Sequence, residues 1–129
     1  MSPAQFEIFK REQSRVRYMD TRLVEELFPD IEKIEVSYHL YHGSFTGPKN
    51  VDGSRFYKPH DMAIFYIDCL NKECSSEGFN LKSEIYSMWR EHLAEKTDAM
   101  RCDGQEAPDH PEQSCDGSLK YTIKITYKE

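Results

Sequence analysis

Leu119-Lys-Tyr-Thr-Ile-Lys-Ile-Thr-Tyr127 places an apolar or aromatic side chain at every second position, with Lys or Thr between them. Successive side chains of a strand point to opposite faces, so this stretch predicts a strand with one buried and one wet face. A second run, Ile34-Glu-Val-Ser-Tyr-His-Leu-Tyr-His42, has the same two-residue period: Ile34, Val36, Tyr38, Leu40 and His42 alternate with Glu35, Ser37, His39 and Tyr41. Two half-buried strands need a layer to cover their apolar face, and helical patterns on either side supply it.

Upstream, Phe6, Phe9, Val16, Leu23 and Leu27 recur at loosely helical intervals over residues 5–28, as one broken helix or two short ones. Asp20 or Thr21 can cap the second helix, and Pro29 disfavours helix at Phe28 and marks the stop. Between the two strands, residues 43–61 are rich in Gly, Ser, Pro, Asn and Lys without periodicity and predict a long loop. Residues 62–68, Met-Ala-Ile-Phe-Tyr-Ile-Asp, are short, apolar and β-favouring, and predict a central strand ending at Cys69. Asn80 can cap a helix over residues 81–96 in which Leu81, Ile85, Met88, Trp89, His92 and Lys96 share one face. The order helix, strand, strand, helix, strand predicts an α+β fold, a small and mainly antiparallel sheet packed with one to three helices. A single domain over residues 1–129 is expected, with a helical N-terminal segment at 1–30 and the sheet, principal helix and cysteines at 31–129.

The composition sets outer limits on function. The 129 residues are 38% hydrophobic and 31% charged, with 8 Tyr and 7 Phe, so aromatic bulk must fill much of a modest core. The formal charge of -6 disfavours nonspecific nucleic-acid binding, although residues 10–22 concentrate Lys10, Arg11, Arg15, Arg17 and Arg22. Residues 1–10 lack the apolar run of a signal peptide, and no stretch approaches the ~18 apolar residues of a membrane span, so a cytoplasmic location is expected.

In a reduced compartment four cysteines read as metal ligands or inert core thiols before they read as two disulfides. Cys69 and Cys74 enclose four residues, and Cys102 and Cys115 enclose twelve, containing two Pro and one Gly. Zinc takes four tetrahedral thiolate or imidazole ligands, and two turns facing each other across a small sheet deliver that geometry. Cys69, Cys74, Cys102 and Cys115 are therefore the expected ligands of a structural Zn²⁺. His110, between the second pair, is a candidate replacement for one of them. No C-x-x-C occurs, and the spacings match neither ferredoxin pattern, which argues against redox and iron–sulfur roles. From Cys69 to Tyr127 the succession of knuckle, intervening elements, second cysteine pair and closing strand resembles zinc-ribbon-like domains. A ribbon has tighter knuckles and lacks the helix inserted at 81–96. Four thiolates would close the coordination shell, so the metal implied by this resemblance contributes folding free energy and not chemistry.

The function expected on these grounds is a noncatalytic zinc-stabilised interaction module, an accessory or regulatory partner of another protein. A nucleic-acid-binding protein is the alternative, using the strand face of Lys120, Lys124 and Lys128 or the basic N-terminal helix. A small hydrolase or transferase is the third reading, with His60 and Asp61 as base and orienting carboxylate beside His39 or His42. His39 and His42, three apart in a strand, point to opposite faces and cannot together chelate one ion. The loop Gly43-Ser-Phe-Thr-Gly-Pro-Lys-Asn50 has the residue types of a phosphate cradle but no P-loop spacing. Trp89 and Met88, which share the apolar stripe with Ile85, read as core packing before they read, with Tyr86, as an aromatic binding surface.

Overall fold

The architecture, taken from a computed structural model, is described for residues 2–19, 22–43, 48–70, 78–102, 105–107 and 110–129, and there for side chains outside 3, 13–19, 105–107 and 110–114. Helix α1 (Pro3–Met19) and the single-turn α2 (Val24–Leu27) precede β1 (Ile31–His42) and β2 (Lys49–Tyr57). Two very short strands, β3 (Tyr66–Ile67) and β4 (Phe79–Asn80), lead into α3 (Lys82–Glu91). Strand β5 (Glu95–Arg101), a small hairpin of β6 (Gln105–Ala107) and β7 (His110–Ser114), and the long β8 (Gly117–Tyr127) complete the chain.

The two alternating stretches lie side by side at the centre of a four-stranded antiparallel sheet ordered β2-β1-β8-β5. Their register sets Ile34 opposite Ile125, Val36 opposite Ile123 and Leu40 opposite Leu119, so one face is a continuous apolar surface. A one-residue slip would turn all of these residues to water, which is why burial of one face specifies the register. Val24, Phe28, Phe65, Ile67, Phe79, Leu81, Ile85 and Met88 belong to the same buried cluster, so α2, α3 and a strap made of residues 63–70 and 78–81 complete the core over this face. The fold is thus α+β with a small antiparallel sheet, as the sequence predicts.

Three elements differ from the sequence expectation. Residues 49–57 are not loop but strand β2, paired with β1 from Ile34–Tyr57 to His42–Lys49. This edge strand is exposed along most of its length, so no apolar period marks it. Gly53 lies opposite Tyr38, and a Cβ there would fall 2.4 Å from the Tyr38 ring. The missing side chain leaves room for the ring to lie across the strand.

Residues 62–68 do not form a central strand. Met62 makes an isolated bridge to Leu23, and Tyr66 and Ile67 pair only with β4. Ala63, Phe65 and Ile67 are still buried, because the segment crosses the core and packs with alternate side chains inward. It is fastened to β2 by Tyr57 Oη donating to Ile64 O at 2.8 Å and by Arg55 Nη1 donating to Tyr66 O at 2.7 Å.

The helix expected over 81–96 stops at Glu91. His92 adopts a left-handed conformation at φ 56°, and the Leu93 N–H bonds back to Met88 O, a helix-terminating pattern usually built on glycine. The His92 ring stacks on Tyr127 at 3.9 Å between centroids. Lys96 keeps its place on the helix-facing side by another route: from β5 its Nζ reaches back 2.7 Å to Glu84 of α3. The N-cap position falls on Leu81 and not on Asn80 as expected, although Asn80, one residue earlier, still accepts the first helical N–H, that of Lys82, through its Oδ1 at 2.9 Å.

The N-terminal pattern resolves into two helices. The second is pinned to the turn after β2 by Val24 N–H to Asp61 O (2.9 Å) and Glu25 N–H to Pro59 O (3.0 Å). Phe28 then meets Trp89 edge to face at 5.4 Å, in line with the core role expected of Met88 and Trp89. Asp20 and Thr21, the expected caps, lie outside the described residues.

Candidate metal centre

At one end of the sheet three chain segments meet. Strand β5 ends at Arg101, followed by Cys102; β8 begins at Gly117, preceded by Cys115; and the strap delivers Cys69 just beyond β3. The β6–β7 hairpin pairs Gln105 with Ser114 and Ala107 with His110, which closes the excursion between Cys102 and Cys115 and returns its two ends to one place. The Cys102 N–H donates to Gly117 O at 2.9 Å and locks that base. The twelve-residue gap, wide for a zinc knuckle in sequence, is therefore spanned by a hairpin.

The sulfurs of Cys69, Cys102 and Cys115 all lie within 4.8 Å of one another, and such a group could hold a metal ion. Cys69 Sγ and Cys115 Sγ are 3.6 Å apart. Sulfurs bonded to one tetrahedral zinc at about 2.3 Å are separated by about 3.8 Å along the tetrahedron edge. A disulfide requires about 2.05 Å, far shorter than the Cys69–Cys115 separation. Cys102 and Cys115 are 9% and 7% exposed, and Cys69 lies at the rim. As neutral thiols these side chains pack as small apolar groups, whereas as thiolates they need a cation between them to be buried together.

Gly117 is the floor of this cluster. A Cβ built there would stand 2.6 Å from Cys69 Sγ and 3.4 Å from Cys115 Sγ. Only a residue without a side chain lets the strand pass so close under the sulfurs. The fourth expected ligand, Cys74, lies outside the described residues, as does the side chain of the candidate substitute His110.

The other candidate residues are placed apart. His39 and His42 face opposite sides of the sheet, as the two-residue period requires. On the wet face His39 Nδ1 meets Asp52 Oδ1 at 2.6 Å and Nε2 meets Asn50 Oδ1 at 3.0 Å, both across the β1–β2 ladder. The Asp52 hydrogen bond, then the Asn50 hydrogen bond, raise the His39 pKa above its ordinary value by giving both ring N–H groups of the imidazolium an acceptor. His42 faces the core side, at the sulfur end of the sheet. His60, well exposed, has Nδ1 3.4 Å from Glu25 Oε1, and the Asp61 carboxylate accepts the Lys58 N–H at 2.8 Å within the turn. That turn follows Tyr57, whose partner Ile34 is eight strand residues from His42, roughly 27 Å at the rise of a strand. The residues of the hydrolase reading are thus not brought into one site.

Lys120 and Lys124 share the wet face, but Lys124 stands between Glu35 of β1 and Glu95 of β5, and Lys120 stands opposite His39. Lys128 lies past the end of β8, its backbone N–H bonded to Asp30 O. Residues 44–47 of the candidate phosphate loop are outside the described residues; its Lys49 and Asn50 belong to β2, and Asn50 is engaged by His39. Two residues beside the sulfurs have no sequence signal for that place: Gly117 belongs to no motif, and His42 is a candidate for the hydrolase reading alone. Among the described residues no helix is long and apolar enough to cross a membrane. The chain matches no protein-family model, and no significant match was found to a curated protein or a solved structure, so the site is described from its own geometry.

Proposed function

We propose that this chain is a noncatalytic, zinc-stabilised interaction module: Cys69, Cys74, Cys102 and Cys115 hold one structural Zn²⁺, and the domain so stabilised serves as an accessory or regulatory partner of another protein in the cytoplasm. The observation that carries this reading is the convergence of Cys69, Cys102 and Cys115, drawn from three separated stretches of chain, within 4.8 Å. With Cys74 as the fourth thiolate the shell is closed, leaving no position for water or substrate, and the ion acts as a cross-link between the strap and the sheet. Three of these ligands sit at strand ends, in the zinc-ribbon-like order of knuckle, second pair and closing strand.

The decisive measurement is zinc stoichiometry per chain, read beside a free-thiol count under reducing conditions. One zinc per chain is expected, with loss of the metal and of a large part of the thermal stability in Cys69→Ser. A metal-free chain that melts as the metal-treated one does would overturn the reading. The interaction role is tested by cross-linking in the native cell: a specific protein partner whose release follows chelation supports it. Salt-sensitive retention on RNA or DNA that disappears on neutralising Lys120, Lys124 and Lys128 would replace it with the nucleic-acid alternative.

A further inference from the structure

Among the described residues His42 is the one ionisable imidazole, carboxylate or cationic side chain that is buried, at 4% exposure. Its place in the ladder is directly opposite Gly117 of β8. Residues directly opposite in an antiparallel pair project to the same face, with Cβ positions about 4.5–5.5 Å apart. The side Gly117 would present is the side on which Cys69 Sγ sits 2.6 Å from the Cβ position. His42 therefore shares its face of the sheet, and its end of that face, with the three sulfurs. Its ring nitrogens are not among the atoms that lie within 4.8 Å of one another in the sulfur cluster, so it flanks the ligand set and is not part of it.

We propose that His42 is the outer-sphere positioning residue of the metal centre: a ring N–H is directed at a cysteine sulfur, holds that thiolate in place and offsets its charge. This inference rests on the metal-site reading above and deepens it. A set of thiolates around one dication carries excess negative charge in a buried place, and hydrogen bonds from the surroundings to sulfur are what make such a set tolerable. The neighbouring backbone cannot supply them all, since the Cys102 N–H is already committed to Gly117 O. A buried imidazole makes hydrogen bonds of its own, and the sulfurs lie on its face of the sheet and at its end of that face.

The test compares His42→Phe, which keeps a ring and loses the donors, with His42→Gln, which keeps an N–H donor. Each chain is titrated with Zn²⁺ alone in competition with a chelator, and with Co²⁺ alone for its absorption. His42→Phe should lower zinc affinity by about 10- to 100-fold and shift the sulfur-to-cobalt charge-transfer band, with His42→Gln recovering most of both. Wild-type affinity and an unshifted band in His42→Phe overturn the inference and leave the metal site standing. Loss of the tetrahedral cobalt spectrum in His42→Phe also overturns it, since a ligand would then have been removed. If the wild-type chain binds neither ion, the metal reading itself fails. Should His42→Phe not fold, the wild-type zinc-loaded chain decides by NMR. A slowly exchanging His42 ring proton that moves when Cd²⁺ replaces Zn²⁺ is expected, and one indifferent to the metal is contrary.

Discussion

Gly117→Ala adds one methyl group under the sulfurs, and its effect should depend on whether the metal is present. The new Cβ would meet Cys69 Sγ at 2.6 Å, with Cys102 Cβ and Cys115 Sγ each at 3.4 Å. A carbon–sulfur approach of 2.6 Å is about 1 Å inside ordinary contact, so something must move. The backbone of Gly117 is held on both sides, by pairing with His42 and by the Cys102 N–H at 2.9 Å. Without metal, the Cys69 sulfur ends a short side chain and swings to another rotamer, at a cost of a few tenths to about 1 kcal/mol. With metal, that sulfur is tied to the other ligands, and the clash must be taken up by the strand or by the bond to the ion. Overpacking a fixed site costs about 1–3 kcal/mol, which corresponds to a zinc affinity about 5- to 150-fold weaker. For a domain of this size each kcal/mol is worth about 4 °C in melting temperature. The assay is thermal unfolding of both chains with one equivalent of zinc and again with excess chelator. The chelated melting curves should lie within a few degrees of each other, and the zinc-loaded curves should separate by about 4–12 °C. Equal zinc affinity in the two chains, or an identical deficit with and without zinc, would refute the placement of Gly117 beneath a metal-holding sulfur cluster.

Two further predictions concern the rest of the sheet. Because the folded-state pKa of His39 is raised, its protonation stabilises the fold fully below the ordinary histidine value near 6.5 and stops doing so as pH rises through the raised value. In Asp52→Asn the NMR titration midpoint of His39 should fall towards that ordinary value, and an unmoved midpoint would mean the Asp52 hydrogen bond is not its cause. Ile85→Ala removes a fully buried side chain from the inward face of α3 and should cost about 2–5 kcal/mol of unfolding free energy by denaturant titration. Fluorescence of Trp89, the one tryptophan, should report the same transition, and a loss under about 1 kcal/mol would contradict the packing of α3 on the sheet.

Strands β1 and β8 were legible because each has one face in the core and one in water, and that asymmetry writes itself into the order of residues. The start of α3 was legible for a related reason, since Asn80 offers an acceptor to the first helical N–H and Ile85 and Met88 repeat on one side. Edge strands β2 and β5 left no such mark. They bury little, so neither Lys49–Tyr57 nor Glu95–Arg101 shows a period, and their existence depends on the partner strand beside them. Alternation at residues 63–67 correctly announced which side chains are inward but could not say whether the backbone joins the sheet or crosses over it. Burial of alternate residues is common to both arrangements.

The cysteines divide in the same way. Their residue type, and their position at the boundaries of regular elements, follow from order along the chain alone, and so does the expectation that they act together. That Cys69 meets Cys115 across 46 residues, and Cys102 with it, is a consequence of the strap lying over the sheet and the hairpin folding back on itself. The placement of Gly117 under the sulfurs and of His42 beside it is set by the β1–β8 register. Register is fixed by the sum of many cross-strand contacts, none of which is local in sequence, so the chain alone determined the candidate ligands and only the tertiary structure decided which atoms stand next to them.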